Sequence, residues 1–362
     1  MAPIPPRMAN FAAAMSHVYK FPTEATKEPW TPPPAEGHRG RYLWTDAFGV
    51  VNFLTLFKET QDELYLTHAI CLVTAVHDIL GRTRSGSAHL PGASDAHPLA
   101  GGLRIGKDDE FGPDGDGQYH HYLTLWMFAL NRVSLASKDK KYNDLGIELA
   151  KAIHPRFVYD RNSGRPRMVW KMAMDLSKPL VHSEGNLDPI DGYVTFRLLQ
   201  STNGPDSTIL QDEIADYEKI VQTKWEHYSS SDPLDLGMTL WTSHWHAAGK
   251  DAEAWASGLC ERAERDLKSL VKRGYFERNI ERRLAFREFG TCLGMRAALE
   301  AAEWASLSTK ICEAWESSRI VPTPQGSSGA VKTAVDHGLL PITLVMYAAA
   351  LHPGAFQAEF LS

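Results

Sequence analysis

The helical segments of this chain alternate between two kinds, and this alternation restricts the fold more than any other feature of the sequence. Segments such as DAFGVVNFLTLF and GQYHHYLTLWMFAL carry few charges and are apolar on nearly every side. Segments such as DEIADYEKIVQTKWEHY carry Lys and Glu on one face only. A helix that is apolar all round is buried, whereas an amphipathic helix covers a surface. The alternation therefore predicts an all-α, double-walled toroid of inner and outer helices.

Helical periodicity continues through nearly the whole chain after residue 42. The predicted helices span 44–59, 62–81, 117–136, 141–156, 190–202, 208–228, 237–248, 251–273, 287–303, 305–318 and 338–351. Strand-like alternation is confined to 165–174, which predicts a short hairpin in a loop. Residues 1–41 are expected to form a proline-rich arm, whose segment 8–19 would be a helix that closes the ring. Residues 42–362 are expected to form one barrel domain.

An acidic residue followed within three positions by a glycine opens each predicted inner helix. The pairs are Asp46 with Gly49, Asp116 with Gly117, Asp191 with Gly192, Asp235 with Gly237, Glu288 with Gly290, and Asp336 with Gly338. Because the inner helices of such a toroid run parallel, the acids are expected to surround one mouth. The alternative is that each acid only caps its helix, since Asp is a favoured N-cap and Gly loosens the turn.

Six such hairpins, with acids and aromatics at the inner-helix starts, resemble the six-hairpin glycosidase-like (α/α)6 barrels. This superfamily includes unsaturated uronyl hydrolases and the N-acylglucosamine and cellobiose 2-epimerases. The resemblance is architectural and covers residues 42–351. The segment YLWTDAFGVVNFL is similar to an inner-helix opening of the hydrolases. The resemblance implies an (α/α)6 toroid that acts on a sugar, and an acidic sugar would suit Arg104 and Lys107.

The longest polar loop precedes the second inner helix, and a loop of that length in a compact domain is usually functional or disordered. Its candidate groups are Asp95, His97, Arg104, Lys107, Asp114, Asp116, Gln118, His120 and His121. Successive helical residues point about 100° apart, so only one of the two histidines can face the barrel axis. We assign His120 to the site. The spacing in DDEFGPDGDG differs from that of a calcium loop, so no metal ligand is assigned, and whether 108–116 binds a divalent ion stays open.

Three further segments carry candidate groups. The loop before the third inner helix offers Trp170, Lys171, His182, Glu184, Asp188 and Asp191, which suit general acid and base work if they share a cleft. The helix TLWTSHWHAAG offers Trp241 and His244 on one face. The later inner helices begin with Glu288 and His337.

The resulting site prediction has two parts. The candidate catalytic residues are Asp46, Asp116, Glu184, Asp191 and His244. The candidate substrate-binding residues are Trp44, Asp95, His97, Arg104, Gln118, His120, Trp170, Lys171, His182, Trp241, Glu288 and His337.

Composition and missing signatures exclude several classes of function. The net charge is −6 and the basic residues form no long block, which argues against a nucleic-acid partner. No apolar run reaches the length of a membrane span or of a signal-peptide core, so a cytoplasmic protein is expected. The phosphate-cradling loop, the dinucleotide fingerprint, the zinc helix and the Gly-x-Ser-x-Gly elbow are all missing from the sequence. No cofactor is therefore expected, and the partner is expected to be a small molecule, most simply a sugar.

Three functions remain open at this level. The first is a glycoside hydrolase in which Asp46 and Asp116 act as acid and base, with help from Asp191 or Glu184. The second is a sugar epimerase, isomerase or lyase in which a histidine (His182, His244 or His337) moves a proton next to a carbonyl. The third is a barrel adapted to a small hydrophobic metabolite, because fold does not fix function.

Overall fold

Twelve α-helices make up most of the chain that the structure describes. The computed structural model describes residues 4–24, 26, 29–33, 41–112, 115–318, 321 and 339–361. The helices are α1 (Ala9–Tyr19), α2 (Leu43–Thr60), α3 (Glu63–Leu80), α4 (His120–Ser137), α5 (Lys141–Phe157), α6 (Asp188–Thr202), α7 (Gln211–Lys224), α8 (Pro233–Ala247), α9 (Ala254–Lys272), α10 (Ala285–Ala298), α11 (Ala302–Ser317) and α12 (Leu340–Leu351).

The even-numbered helices form a closed inner ring. Each contacts the next even-numbered helix, and α12 contacts α2 to complete the circle. The odd-numbered helices form the outer wall, and α3, α5, α7, α9 and α11 each pack on the inner helix that precedes them. An outer helix packs through one apolar face. In α9 the buried residues recur every four positions on that face, at Trp255, Leu259, Ala263 and Leu267. The fold is an all-α (α/α)6 toroid, as the alternation predicts.

The N-terminal helix α1 completes the outer wall. It packs against α12, which has no outer partner later in the described chain. Phe11, Met15 and Tyr19 of α1 are fully buried. The helix predicted at 8–19 therefore exists and fills the position that the hairpin count left vacant.

The glycines that recur at the inner-helix starts make room for neighbouring side chains. A Cβ atom at Gly49 would lie 1.9 Å from the hydroxyl of Tyr19, and one at Gly192 would lie 2.4 Å from the ring of Tyr217. Both tyrosines belong to outer helices. At these two positions glycine therefore allows close packing of the two walls, because a side chain at either position would overlap a buried ring.

The capping alternative for the acids is wrong in the described chain. Helices α2, α4, α6 and α10 have no side-chain hydrogen bond at their N-caps. The cap of α8 is Asp232, which accepts from the amides of Leu234 and Asp235. Asp116 precedes its helix altogether, since α4 begins at His120 and not at 117. Asp336 lies outside the described residues.

The hairpin predicted at 165–174 is also wrong, although strands occur there. Strand β3 (Arg167–Met168) pairs with β2 (Val158–Tyr159), and β4 (Lys171–Met172) pairs with β1 (Gln118–Tyr119), both antiparallel. The β1–β4 pair joins the two long loops that precede α4 and α6. The amide of His120 extends this link by donating to the carbonyl of Trp170 at 3.0 Å.

Several helix boundaries differ from the prediction by a few residues, among them those of α4, α8 and α10. Residues 118–119 belong to β1, which delays the start of α4. Helix α8 begins at Pro233, four residues early, because the Asp232 cap and a proline in the first turn favour a start there. The helix predicted at 287–303 breaks after Ala298, and α11 starts at Ala302.

Helix α3 is apolar enough to be compared with a membrane span. Among the described helices it alone meets the length and hydropathy of one, with a mean hydropathy of 1.3. It packs against α2 and α4 as part of the outer wall.

Candidate active site

A pocket of about 300 Å³ opens where the first turns of α4, α6, α8 and α10 meet. Four of the six inner helices thus contribute their N-terminal ends, as expected if these ends share one mouth. The pocket is lined by Tyr119, His121, Trp170, Gly185, Asn186, Leu187, Asp188, Asp232, Leu234, Asp235, Met238 and Arg287.

His121 and Asp191 form a histidine–carboxylate pair at this pocket. Nδ1 of His121, in the first turn of α4, lies 2.6 Å from Oδ2 of Asp191 on α6. Because a carboxylate only accepts, Nδ1 carries the proton in this contact, which leaves Nε2 as the nitrogen available to a ligand. The other oxygen of Asp191 accepts from the hydroxyl of Thr242 on α8 at 2.9 Å. Three inner helices therefore fix the orientation of one imidazole ring.

The surroundings change the proton affinity of both partners. Burial lowers the pKa of His121, but the negative charges of Asp191, Asp188 and Asp235 outweigh it and raise that pKa above its ordinary value. Burial raises the pKa of Asp191, while the contact with His121 opposes the rise. An imidazole whose proton affinity is raised by a carboxylate is a suitable general base.

Two more carboxyl groups face the pocket. Asp188 is 4% exposed and accepts from the amide of His121 at 3.1 Å. Asp235 accepts from Asn186 and from the hydroxyl of Tyr228, both at 3.1 Å. Burial raises the pKa of Asp235 above its ordinary value. Within the described chain neither carboxyl pairs with a lysine or an arginine, so Asp235 is suited to hold or release a proton.

Aromatic rings form one wall of the pocket and continue behind it. Tyr119 and Trp170 lie 5.0 Å apart, and both line the pocket. Behind them Trp44 stacks on Tyr122 at 5.6 Å with an interplanar angle of 7°, and its ring lies 5.7 Å from that of His121. Nε1 of Trp44 is buried and has no hydrogen-bond partner among the described residues. Such faces suit the apolar side of a sugar ring.

The opposite rim carries an ion pair. Arg287 in the first turn of α10 pairs with Asp232, the cap of α8. Both side chains are more than a third exposed to solvent. Leu234 and Met238 line the same side one turn apart. The rim is therefore polar at its edge and apolar below.

Asp46 and Asp116, the acid and base of the hydrolase hypothesis, lie in two separate buried clusters. Asp46 pairs with Arg41 at 2.8 Å and accepts from the hydroxyl of Tyr19 at 3.0 Å. Asp116 accepts from Arg104 at 2.6 Å, from Arg84 at 3.0 Å and from loop amides. Neither lines the pocket, and fixed donors engage Oδ1 of Asp46 and both oxygens of Asp116.

Other predicted loop residues hold the long loops together. Arg104 also donates to the carbonyls of Arg82 and Ile79. Gln118 accepts from the amide of Leu103 and donates to two carbonyls, and Lys171 donates to the carbonyl of Gly115 at 2.8 Å. The structure does not bring these three side chains to the pocket.

Two predicted glutamates are committed to ion pairs. Glu288 is fully buried and accepts both arms of Arg283 as well as Nε1 of Trp315. Glu184 pairs with Lys224 at 2.7 Å and with Arg167 at 3.1 Å. Burial alone would raise the pKa of Glu184, but these two cations lower it below its ordinary value.

The remaining predicted residues lie elsewhere. His244 is in the last turn of α8, at the opposite end from the pocket, and burial lowers its pKa to about 4. Trp241 donates to the carbonyl of Phe356 inside the barrel. His182 is exposed, and exposed Asp95 and His97 pair with His89 and Glu148. His337 lies outside the described residues.

The choice between the adjacent histidines of α4 is the reverse of the prediction. His120 is fully buried, and its Nε2 lies 2.6 Å from the hydroxyl of Tyr217 on outer helix α7. His121 faces the pocket. The sequence indicated that one of the two histidines faces the barrel axis. It did not indicate which one, because both faces of α4 are apolar.

Of the predicted site, Trp170 lines the pocket, Asp191 holds His121, and Trp44 lies against the His121 ring. Among the pocket residues that the final site prediction left out are His121, Tyr119, Asp188, Asp235 and Arg287. Asp235 carries the repeat signal, and Asp188 precedes Asp191 by one helical turn, so both could have been selected from position alone.

Comparison with known proteins finds a solved structure with a similar fold. No family model matches the chain, and none of the curated proteins does. The structure is similar to that of a D-mannose isomerase. The TM-score is 0.54 at 10% sequence identity, covering 86% of this chain and 86% of that chain. At this identity the likeness establishes the toroid fold alone.

Proposed function

We propose that this protein is a sugar isomerase or epimerase in which His121 is the general base. The observation that carries the proposal is the His121–Asp191 pair at 2.6 Å in the mouth of the barrel. A base oriented by a carboxylate and placed against carboxyl groups and aromatic faces suits removal of a proton next to a sugar carbonyl. The likeness of the fold to that of a D-mannose isomerase supports the same reaction class.

The proposed reaction transfers one proton between neighbouring carbons. Nε2 of His121 takes the proton from C2 of an open-chain aldose, and the C2–H electron pair forms the C1=C2 double bond of an enediol. The carbonyl oxygen O1 takes a proton from Asp235, whose raised pKa suits a proton donor. His121 then returns its proton to C1, and the O2 hydroxyl proton goes back to Asp235, which gives the ketose. Return of the proton to the other face of C2 would instead give the epimer.

Hydrolysis is the competing proposal, and the pocket offers it different residues from those predicted. Asp188 and Asp235 face the pocket, whereas Asp46 and Asp116 do not. A hydrolase would use the pocket carboxyls as acid and base and would need no histidine. A barrel for a small hydrophobic metabolite would rely on Tyr119, Trp170 and Met238 alone.

The test is a product analysis with a panel of aldoses and short glycosides. We expect interconversion of an aldose with its ketose or epimer, and a loss of at least about 100-fold in kcat for His121→Gln. The matched control is His97→Gln, which removes an exposed histidine that also pairs with a carboxylate. Free sugar released from a glycoside, with full activity in the His121 variant, would overturn the proposal in favour of hydrolysis.

A further inference from the structure

The segment that follows α12 turns back into the barrel. A 3₁₀ turn, Gly354–Phe356, lies inside the inner ring, and all three of its residues are buried. The ring of Phe356 lies 4.9 Å from Phe48, 5.9 Å from Trp241 and 6.1 Å from Phe128. One side chain thus touches α2, α8 and α4 across the barrel interior.

Polar contacts from the same three helices hold this turn in place. Thr55 accepts from the amide of Ala355 at 3.0 Å, and Trp241 donates to the carbonyl of Phe356 at 3.0 Å. Buried Arg132 donates to the carbonyl of Ala355 at 3.1 Å. Gly354 has a φ of +49°, and a Cβ there would lie 2.2 Å from Thr55, so the turn requires glycine.

Helix α8 relates this turn to the pocket. Leu234, Met238 and Trp241 follow a spacing of four and three residues, so they share one face of the helix. The first two line the pocket, and Trp241 contacts Phe356. Three residues along a helix correspond to about 4.5 Å, so Trp241, which contacts Phe356, lies roughly one turn below Met238.

The other two helices repeat this order from mouth to interior. On α2, Trp44 lies beside His121, and Phe48, one turn further, touches Phe356. On α4, His121 lines the pocket, and Phe128, two turns further, touches Phe356. The layer formed by Phe356, Phe48, Phe128 and Trp241 therefore lies beneath the site.

We propose that Phe356, in the layer below the residues that line the pocket, closes the barrel interior as the floor beneath the substrate and limits the ligand to a single sugar ring. This inference rests on the proposed function. A pocket of about 300 Å³ is at the small end of the range for ligand sites and suits one ring. Trp241 acts in this arrangement as a positioning residue for the floor and not as a sugar-binding wall.

The experiment measures kcat/KM of Phe356→Ala for sugars of different length and determines the crystal structure of the same variant. The expected result is that kcat/KM for disaccharides extended at O4 or O6, relative to the parent aldose, rises about tenfold. In the crystal the space left by the ring should open into the pocket past Met238. Phe356→Leu, which keeps most of the buried volume, should shift the ratio in the same direction if the alanine variant folds poorly.

The matched control is Phe360→Ala. It removes the same side chain from the same segment, but its ring contacts His352 and not the floor layer. The inference is overturned if the space left by Phe356 is sealed from the pocket, or if it is open and neither disaccharide gains. If the wild type turns over no sugar, the proposed function fails, and the crystal structure alone decides whether Phe356 is the floor.

Discussion

At the scale of single residues, the His121–Asp191 pair has a pH dependence with a definite sign. The base must be neutral, so activity should rise with pH as His121 loses its proton. Because Asp191 raises the pKa of His121, this rise in the wild type should lie above about pH 6.5, the ordinary value.

Asp191→Asn removes the charge that raises this pKa, so the rise in activity should move to lower pH. The maximal rate should fall at least about 100-fold, because the ring loses its orienting acceptor. A pH–rate profile of kcat measures both effects. Thr242→Val, which removes only a hydrogen bond to Asp191, should give a smaller loss. An unchanged pH profile in Asp191→Asn would contradict the assignment.

Substitution of the two buried acids outside the pocket should lower the stability of the fold more than the catalytic rate. Asp46→Asn and Asp116→Asn each remove one charge from a buried ion pair, so each should cost about 3 kcal/mol of unfolding free energy. At temperatures where the variants stay folded, kcat should change less than tenfold. Urea unfolding and kinetics on the same samples separate the two roles, and a large loss of kcat at full stability would restore these residues as catalysts.

The positions of the acids show which parts of the site could be predicted from the sequence. The sequence indicated that acids at inner-helix starts gather at one end, and Asp191 and Asp235 do so. It could not show that Asp46 faces Tyr19 of the outer wall, or that loop arginines enclose Asp116. The first outcome depends on how the first turn of α2 is rotated about its axis, and an inner helix that is apolar on all sides carries no record of that rotation. The second depends on the path of the long loop before α4.

At the scale of elements, the close packing of α8 against α10 shapes one side of the pocket. A Cβ at Gly237 would lie 2.3 Å from the carbonyl oxygen of Gly290, which is backbone and cannot rotate away. Gly237→Ala should therefore push the two helices apart and cost about 1–3 kcal/mol.

Because α8 carries the proposed proton donor Asp235 and α10 carries Arg287, the same variant should lower kcat and raise KM together. Thermal unfolding and steady-state kinetics measure the two effects. Gly164→Ala is the control, since a Cβ there meets nothing within 4 Å. Equal losses of stability in the two variants would contradict the packing account.

The elements differ in how far the sequence determined them. Alternating helices follow from hydrophobic periodicity, which is local. The β1–β4 pair was not predictable, because each strand has only two residues and the two strands lie in different loops. The same holds for the turn at Gly354–Phe356, whose apolar residues give no sign that they enter the barrel.

At the scale of the whole molecule, α1 completes the outer wall. Deletion of residues 1–20 would expose the faces of α2 and α12 that Phe11, Met15 and Tyr19 cover. Burial of each such side chain contributes about 1.5–3 kcal/mol, so the truncated chain should lose several kcal/mol and bind a hydrophobic dye.

Circular dichroism melting and dye fluorescence measure this loss. Tyr19→Phe keeps the buried ring and removes only the hydroxyl, which donates to Asp46 and to the carbonyl of Thr45, so it should cost much less than the deletion. A truncated chain that unfolds at the wild-type temperature would show that α1 does not stabilise the barrel as part of its outer wall.

The central claim is that His121 removes the proton from C2 of an aldose, and a deuterated substrate tests it most directly. The aldose found in the product panel is prepared with deuterium at C2 and converted by the wild type and by His121→Gln. With the wild type we expect slower turnover of the deuterated sugar than of the unlabelled sugar, and we expect its label to be lost to solvent or transferred to C1. With His121→Gln we expect neither loss nor transfer of the label. Turnover at an unchanged rate with the label fully retained at C2 would contradict it.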